Sequence, residues 1–178
     1  LGSDTLRYTM EITPVPRPNI RKILYASDLG KYTRPVFRLA VSQARRYDAQ
    51  ILMLHVVSPL GATAESIVGT YLGSDNVEKI QRDGLQQVLA TMKTRLAKFC
   101  EDELAAYQLK RVPVTEILVV SESDPSFAIL KVAKEHEVDM IIMGKSTHTF
   151  FGSTVMGTTA RRVSRHAQVP LLLVPNVD

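Results

Sequence analysis

The chain has 178 residues, of which 45% are hydrophobic and 22% are charged, and its formal net charge is +4. This length fits one domain with a sizeable core, and this composition excludes a disordered or fibrous protein. The apolar runs are far shorter than the ~20 residues that span a bilayer, and scattered basic residues with few aromatics argue against nucleic-acid binding. We expect a cytoplasmic protein in a reducing compartment, since Cys100 is the only cysteine.

Short β-branched runs alternate with amphipathic segments along most of the chain. An extended, proline-rich lead-in covers residues 1–19, and residues 20–178 form one predicted domain. The predicted strands are residues 22–26, 50–57, 112–120, 138–143 and 169–174, and the predicted helices are about 34–47, 75–107, 124–137 and 153–167. This order predicts an open, doubly wound, five-stranded parallel sheet with helices on both faces. Pro113 places the third strand at an end or edge.

Polar residues at strand ends are the first candidates for function, because ligands of open parallel sheets bind beyond the carboxyl ends of the strands. Ser27 and Asp28 follow the first strand, and His55 interrupts the second. Asp28 could accept hydrogen bonds from a ribose or ligate a metal, or it could simply turn the chain. A histidine in an apolar strand is more often a satisfied core residue than a ligand.

A glycine-bounded, hydroxyl-rich loop follows the fourth strand and runs from Gly144 to Gly157, just before a basic helical segment. The first turn of a helix has unpaired N–H groups and a positive dipole end, so such a loop can hold phosphate. A plain turn would also explain the glycines. The loop is not a Walker A motif, because Lys145 directly follows the first glycine. Arg161, Arg162 and Arg165 are predicted to form a solvated face, from which Arg161 could reach a phosphate.

Several segments together resemble the universal stress protein family, and the resemblance covers residues 20–175. The segments that carry it are Ile23 to Asp28, Ile51 to Val57, Val138 to Gly144, Gly157 to Val163 and Val169 to Val174. The resemblance implies a UspA-like domain with a Rossmann-like fold of the adenine nucleotide alpha hydrolase type.

The ATP-binding branch of this family has glycine, two residues, glycine, nine residues, glycine, then Ser or Thr. In this chain Gly144, Thr147, Gly157 and Thr158 hold those places, so Thr147 replaces the second glycine. The resemblance implies an adenine pocket, a ribose contact at Asp28 and a phosphate loop. The pocket residues would be Ala26, Ser27, Val56 and Met143; the loop set would be Gly144, Lys145 and Thr147, with Gly157, Thr158 and Thr159 holding phosphates.

The resemblance implies a stress-response protein that binds ATP or a related adenine nucleotide as a regulatory ligand, with Mg²⁺ or Mn²⁺ bridging the phosphates. It also implies a homodimer through the last strand, Val169 to Val174. No catalytic residue or protein metal ligand is predicted, and hydrolysis would be slow because the loop has no evident general base. The alternative is a dimeric signalling or scaffold protein that binds no nucleotide. An adenylating enzyme would be expected to carry a Ser-Gly-Gly-rich loop after the first strand, which this chain lacks.

Overall fold

The computed structural model of the protein describes residues 18–30, 33–59, 74–105, 113–145, 147–150 and 153–175. The strands are β1 (Lys22–Ser27), β2 (Gln50–Val57), β3 (Val114–Ser121), β4 (Met140–Lys145), β5 (Thr147–Phe150), β6 (Ser153–Met156) and β7 (Leu171–Pro175). The helices are α1 (Thr33–Tyr47), α2 (Ser74–Ala105), α3 (Pro125–Glu135) and α4 (Thr158–His166). Most of the predicted lead-in lies outside the described residues. Within the described part of the chain, no helix is long and apolar enough to cross a membrane.

Five strands form one parallel sheet in the order β3-β2-β1-β4-β7. Ile23 of β1 pairs with Ile51 on one side and with Met140 on the other, so β1 lies at the centre. The strand order reverses between β1 and β4, which is the topology of a doubly wound sheet. The predicted fold class is therefore confirmed, and β3 lies at an edge, as Pro113 predicts.

The sheet is covered by helices on both faces, because side chains alternate between the two faces along each strand. Ile23 and Tyr25 belong to a cluster that α1 and α2 cover, whereas Leu24 belongs to a second cluster under α3 and α4. Aromatic rings extend the first cluster, since Phe37 lies 5.7 Å from Tyr25 and 5.1 Å from Phe99, measured between ring centroids. β1, β2 and β4 therefore each contain a run of at least three consecutive buried residues.

A buried carboxylate joins α1 to α2. Glu103 is only 6% exposed, and its two carboxylate oxygens pair with the Nε atoms of Arg34 at 2.9 Å and Arg38 at 3.1 Å. Two guanidinium partners compensate the loss of hydration that burial imposes on the charge. The first turns of α1 and the end of α2 are therefore held at a fixed separation.

The buried side of α2 differs from the prediction. Leu96 and Cys100 are buried as expected, but Val88 is 42% exposed, and none of residues 82–95 is buried. The apolar spacing of this helix is therefore correct only for its C-terminal part. Helical periodicity identifies an apolar stripe but does not say whether the sheet reaches far enough to cover it.

The fourth strand begins later than predicted, at Met140 instead of residue 138. Glu137 has a positive φ of 49°, which ends the preceding turn. The carboxylate of Asp139 accepts hydrogen bonds from the backbone N–H groups of Arg21 and Lys22, at 2.8 and 2.9 Å. These hydrogen bonds hold Asp139 beside the start of β1, and the pairing of β1 with β4 begins one residue later, at Met140.

The predicted loop after β4 is partly wrong, because it contains two short antiparallel strands, β5 and β6. Thr147 lies opposite Met156, and Phe150 lies opposite Ser153. Thr, Val and Phe residues favour extended backbone, and this segment is rich in them. The last helix accordingly begins at Thr158 and not at Ser153, whose backbone belongs to the hairpin.

Candidate functional site

The reversal of strand order places a crevice between the carboxyl ends of β1 and β4. Ala26 near the end of β1 pairs with Met143 of β4, so the two strands end side by side. The helices on either side of this point lie on opposite faces of the sheet. In folds of this class, ligands bind in the crevice that this arrangement leaves open.

A cavity of about 230 Å³ lies at this crevice. Seven of its lining residues are among the predicted site residues: Ala26, Ser27, Asp28, Val56, Met143, Gly144 and Thr159. Five others are Leu54, His55, Pro125, Ile129 and Ala160. The residues of α3 were missed because sequence alone does not show which helix covers the crevice, although the Asp124-Pro125 helix start signals that a helix begins near a strand end.

Asp28 shapes the turn that leaves β1. Its Oδ1 atom accepts hydrogen bonds from the Gly30 N–H at 2.9 Å and the Thr33 hydroxyl at 3.3 Å. A Cβ atom added to Gly30 would lie 3.2 Å from both carboxylate oxygens, so the glycine permits this close approach. The side chain is exposed and lines the cavity. The turn and ligand interpretations of Asp28 are therefore compatible, since one oxygen serves the turn and the carboxylate still faces the crevice.

His55 and Ser27 meet across the ends of β1 and β2. The His55 Nδ1 atom lies 2.8 Å from the Ser27 carbonyl oxygen, which can only accept a hydrogen bond, so Nδ1 carries the proton. The Ser27 hydroxyl oxygen accepts a hydrogen bond from the Leu29 N–H at 3.2 Å, and Leu29 has a positive φ of 54°. His55 is thus satisfied at Nδ1, as the core interpretation expects, yet it is half-buried and lines the cavity.

The N-terminus of α4 reaches the same cavity. Its N-cap residue, Gly157, has φ −56° and ψ 151°, and no side chain caps the helix there. The first-turn N–H groups of α4 therefore lack a side-chain acceptor at the cap, and this is the end of the helix that favours anions. Any residue can adopt the backbone angles of Gly157, so its conformation does not require glycine. Gly157 itself is buried.

An ion pair joins the N-cap of α3 to the middle of α4, the two helices that contribute residues to the cavity lining. Asp124 is the N-cap of α3, and its Oδ1 atom accepts hydrogen bonds from the Ser126 hydroxyl, the Ser126 N–H and the Phe127 N–H. Its Oδ2 atom lies 2.7 Å from Nη1 of Arg162 on α4. The hydrogen bond from the Ser126 hydroxyl is the main cause that lowers the pKa of Asp124, and Arg162 adds to it. We call this pair the Asp124–Arg162 contact.

Three predicted site residues are not among the residues that line the cavity: Lys145, Gly157 and Thr158. Lys145 ends β4 and pairs in register with Pro175 of β7, while Thr147 begins β5. Gly157 and Thr158 form the start of α4, next to the lining residue Thr159. The structure therefore gathers the residues predicted for adenine and ribose in one cavity, and it places most of those predicted for phosphate at its margin.

Acidic and histidine side chains do not gather into a metal site in the described part of the chain, where no group of three or more His, Cys, Asp or Glu residues could hold an ion.

Comparison with known proteins agrees with the fold. The model of the universal stress protein family matches residues 19–175. The chain is 27% identical to universal stress protein A of Salmonella typhi over 158 residues, which cover 89% of this chain and 96% of that protein. Universal stress protein UspA from Lactobacillus plantarum has a similar structure, with a TM-score of 0.65 and 19% identity over 89% of this chain and 99% of that one. A universal stress protein solved in complex with cAMP has a TM-score of 0.57 and 13% identity, covering 90% of this chain and all of that one (100%). The chain belongs to the universal stress protein family.

Proposed function

We propose that this stress protein binds ATP or a related adenine nucleotide as a regulatory ligand at the crevice between β1 and β4. The observation that carries the proposal is that one cavity brings together Asp28, the strand ends of β1, β2 and β4, and the first turn of α4. An exposed carboxylate suits ribose hydroxyls, and a helix N-terminus without a side-chain cap suits phosphate. The family member solved with cAMP supports an adenine nucleotide as the ligand class.

The proposed roles follow the position of each residue. Ala26, Ser27, Val56 and Met143 would surround the adenine, while Asp28 would accept hydrogen bonds from the ribose. Gly144, Lys145 and Thr147 would border the phosphates, which Gly157, Thr158 and Thr159 would hold. The cavity is smaller than the roughly 300–1,000 Å³ of sites that enclose drug-sized ligands. It would therefore take the nucleoside, and the phosphates would lie outside it, over the start of α4.

Mg²⁺ or Mn²⁺ would bind to the phosphates of the nucleotide, with few or no side-chain ligands. Mg²⁺ commonly binds this way, keeping water and substrate oxygens as ligands. Rapid hydrolysis is not part of the proposal, because Asp28 Oδ1 is engaged in its turn and His55 Nδ1 is engaged with a carbonyl. We expect a bound nucleotide to persist and to act as a signal.

Isothermal titration tests this proposal with ATP, ADP, AMP and adenosine, each with and without Mg²⁺, and with GTP as the matched control for the base. We expect saturable binding of the adenine series and much weaker binding of GTP. The absence of saturation by any adenine compound at millimolar concentration, with folded protein, would instead favour a signalling or scaffold protein that binds no nucleotide.

Pairing of two copies through the β7 edge is the second part of the proposal. β7 is the last strand of the sheet, and Leu171, Leu172, Leu173 and Val174 all remain partly exposed. Partly exposed apolar residues on an edge strand favour cover by another chain. Light scattering at micromolar concentration should report a dimer, and a monomer there would contradict this part without affecting the nucleotide site.

A further inference from the structure

The start of α1 carries a buried hydroxyl beside the Asp28 carboxylate. Thr33 is the first residue of α1 and is only 5% exposed. Burial of a hydroxyl is costly unless the group has hydrogen-bond partners. The Thr33 Oγ1 atom lies 2.8 Å from the Gly30 carbonyl oxygen and 3.3 Å from Oδ1 of Asp28. Both neighbours are acceptors, so the hydroxyl is satisfied as a donor.

The Thr33 hydroxyl has a single proton for these two acceptors. The shorter distance favours the Gly30 carbonyl, and the carboxylate receives the weaker share. The Thr33 N–H also donates to the Gly30 carbonyl, at 3.1 Å. Gly30 in turn donates its own N–H to Oδ1 of Asp28, at 2.9 Å. Thr33 therefore acts on the Asp28 carboxylate mainly through Gly30.

Gly30 also limits the space that the Asp28 carboxylate can occupy. A Cβ atom added to Gly30 would lie 3.2 Å from each carboxylate oxygen and 3.3 Å from Cγ of Asp28. These separations are shorter than ordinary van der Waals contacts, so the carboxylate would have to move by a few tenths of an ångström. The carboxylate thus lies directly against the backbone of Gly30, which Thr33 holds.

The core of the protein holds Thr33 itself in place. The Tyr25 hydroxyl donates a hydrogen bond to the Thr33 carbonyl oxygen at 3.2 Å, and Tyr25 is 1% exposed. Tyr25 belongs to the central strand β1, which ends at Ser27, and its ring packs against Phe37 of α1. Hydrogen bonds therefore lead from the central strand through Thr33 and Gly30 to the exposed carboxylate of Asp28.

We propose that Thr33 is a positioning residue for ribose recognition, because it fixes the direction in which the Asp28 carboxylate meets the sugar hydroxyls. This role rests on the proposed nucleotide site. Thr33 is not among the residues that line the cavity, so it acts on the ligand only through Asp28. The terminal torsion of an aspartate is broad, and an exposed carboxylate does not keep one direction without such contacts. A carboxylate that is already held loses less freedom when the ligand binds.

Nucleosides that lack the sugar hydroxyls test this role. Adenosine and 2′,3′-dideoxyadenosine share the base and differ at the hydroxyls, so the ratio of their affinities measures ribose recognition. We expect the wild type to bind adenosine about tenfold more tightly or better, as measured by calorimetry. Thr33→Val keeps the shape of the side chain and removes the hydroxyl. It should reduce this ratio about three- to tenfold, which is the effect of losing one hydrogen bond.

Two further variants separate positioning from support of the fold. Thr33→Ser is the matched control, because it keeps the hydroxyl, and it should retain the wild-type ratio. Gly30→Ala leaves Thr33 intact and displaces the carboxylate with its Cβ atom, so it should reduce the ratio as well. Circular dichroism of each variant confirms folding, and if Thr33→Val does not fold, Gly30→Ala decides the test.

The outcomes distinguish this role from the nucleotide site on which it rests. If the wild type binds adenosine and Thr33→Val keeps the same ratio, the role of Thr33 is overturned and the site stands. An equal loss of affinity for both nucleosides would also overturn it, because Thr33 would then only support the fold of α1. A reduced ratio in Thr33→Ser would overturn it too, since the hydroxyl would not be the cause. A wild type that binds neither nucleoside would contradict the nucleotide site and this role together.

Discussion

The two halves of the proposed nucleotide site are built in different ways. The nucleoside half consists of Ala26, Ser27, Asp28, Val56 and Met143, which lie at or just beyond the ends of strands fixed in register within the parallel sheet. The phosphate half runs from Gly144 to Thr159 and contains the β5–β6 hairpin, which lies outside that sheet. Thr147, which replaces the second glycine that the resemblance to the ATP-binding branch implies, lies in the hairpin ladder. The positions of the residues in the nucleoside half are therefore fixed by the parallel sheet, whereas those in the phosphate half depend on the short β5–β6 hairpin.

The largest expected effect is on the phosphate half, from Gly157→Val. The backbone angles of Gly157 suit a β-branched residue, so the variant can keep the helix start while its side chain obstructs phosphate. We expect ATP affinity to fall about 100-fold, since several charge-assisted hydrogen bonds would be lost. Adenosine affinity should change little. Calorimetry with ATP and with adenosine measures the two changes in affinity. An equal loss of affinity for both ligands would remove the distinction between the two halves.

Asp28→Ala should act on the nucleoside half and weaken every ligand of the series. Loss of a charged hydrogen-bond acceptor for the ribose should cost about 1.5–3 kcal/mol, or roughly 10- to 150-fold in affinity. Asp28→Asn is the matched control, because its amide oxygen can still accept from the Gly30 N–H and preserve the turn. If the Asn variant binds adenosine like the wild type, the negative charge is not needed for ribose recognition.

Thr147→Gly should strengthen ATP binding by about three- to tenfold, because glycine restores the backbone freedom of the family motif beside the phosphates. Binding of adenosine should stay the same. Thr147→Ser is the control, since it keeps a hydroxyl and a Cβ. Weaker ATP binding by the glycine variant would mean that the β5–β6 ladder, not glycine-like freedom, supports the phosphate half.

The smallest expected effect concerns the Asp124–Arg162 contact, which joins the N-cap of α3 to the middle of α4. Arg162→Gln should lower ATP affinity about two- to threefold by loosening the position of α4 beside α3. Arg165→Gln, on the same helix, is the control.

The N-cap carboxylate of Asp124 has a pH dependence of definite sign, which comes mainly from its hydrogen bond with the Ser126 hydroxyl and only in part from Arg162. The pKa of Asp124 is lower in the folded protein than in the unfolded chain, so its stabilisation is complete above about pH 4 and is lost as pH falls through the folded value. Asp124→Asn should flatten the decrease in unfolding free energy below pH 4, as measured by urea denaturation. An unchanged slope would show that the carboxylate does not contribute.

The parallel sheet was predictable from sequence because its signals are local and agree with one another. The run from Ile51 to Leu54 is wholly apolar, as a strand covered on both faces must be, and Asp124-Pro125 marks a helix start that the structure contains. The strand ends that gather around the cavity follow from the topology. The prediction could therefore place Asp28 and Met143 near one another without any side-chain detail.

The features that the sequence did not predict depend on contacts between residues that are distant in the chain. The sequence predicts a loop where the β5–β6 hairpin lies, because the two short strands show no clear alternation and a central glycine indicates a turn. Pro125 and Ile129 were missed as lining residues, since only the packing of α3 over the crevice brings them there. Val88 lies on the apolar stripe of α2 but is exposed. The stripe predicts which face of the helix is apolar, and it does not show how much of that face the sheet covers.

The buried Glu103 restricts the order in which substitutions at its ion pairs can accumulate during evolution. Its side chain is only 7% exposed, whereas those of Arg34 and Arg38 are 68% and 55% exposed. Losing Glu103 first returns two guanidinium groups to water, where they are well hydrated. Losing both arginines first would leave a buried carboxylate without a partner, at a cost of several kcal/mol. A descendant that abandons this contact must therefore replace the glutamate before the second arginine, and lineages that keep Glu103 should keep at least one of the two.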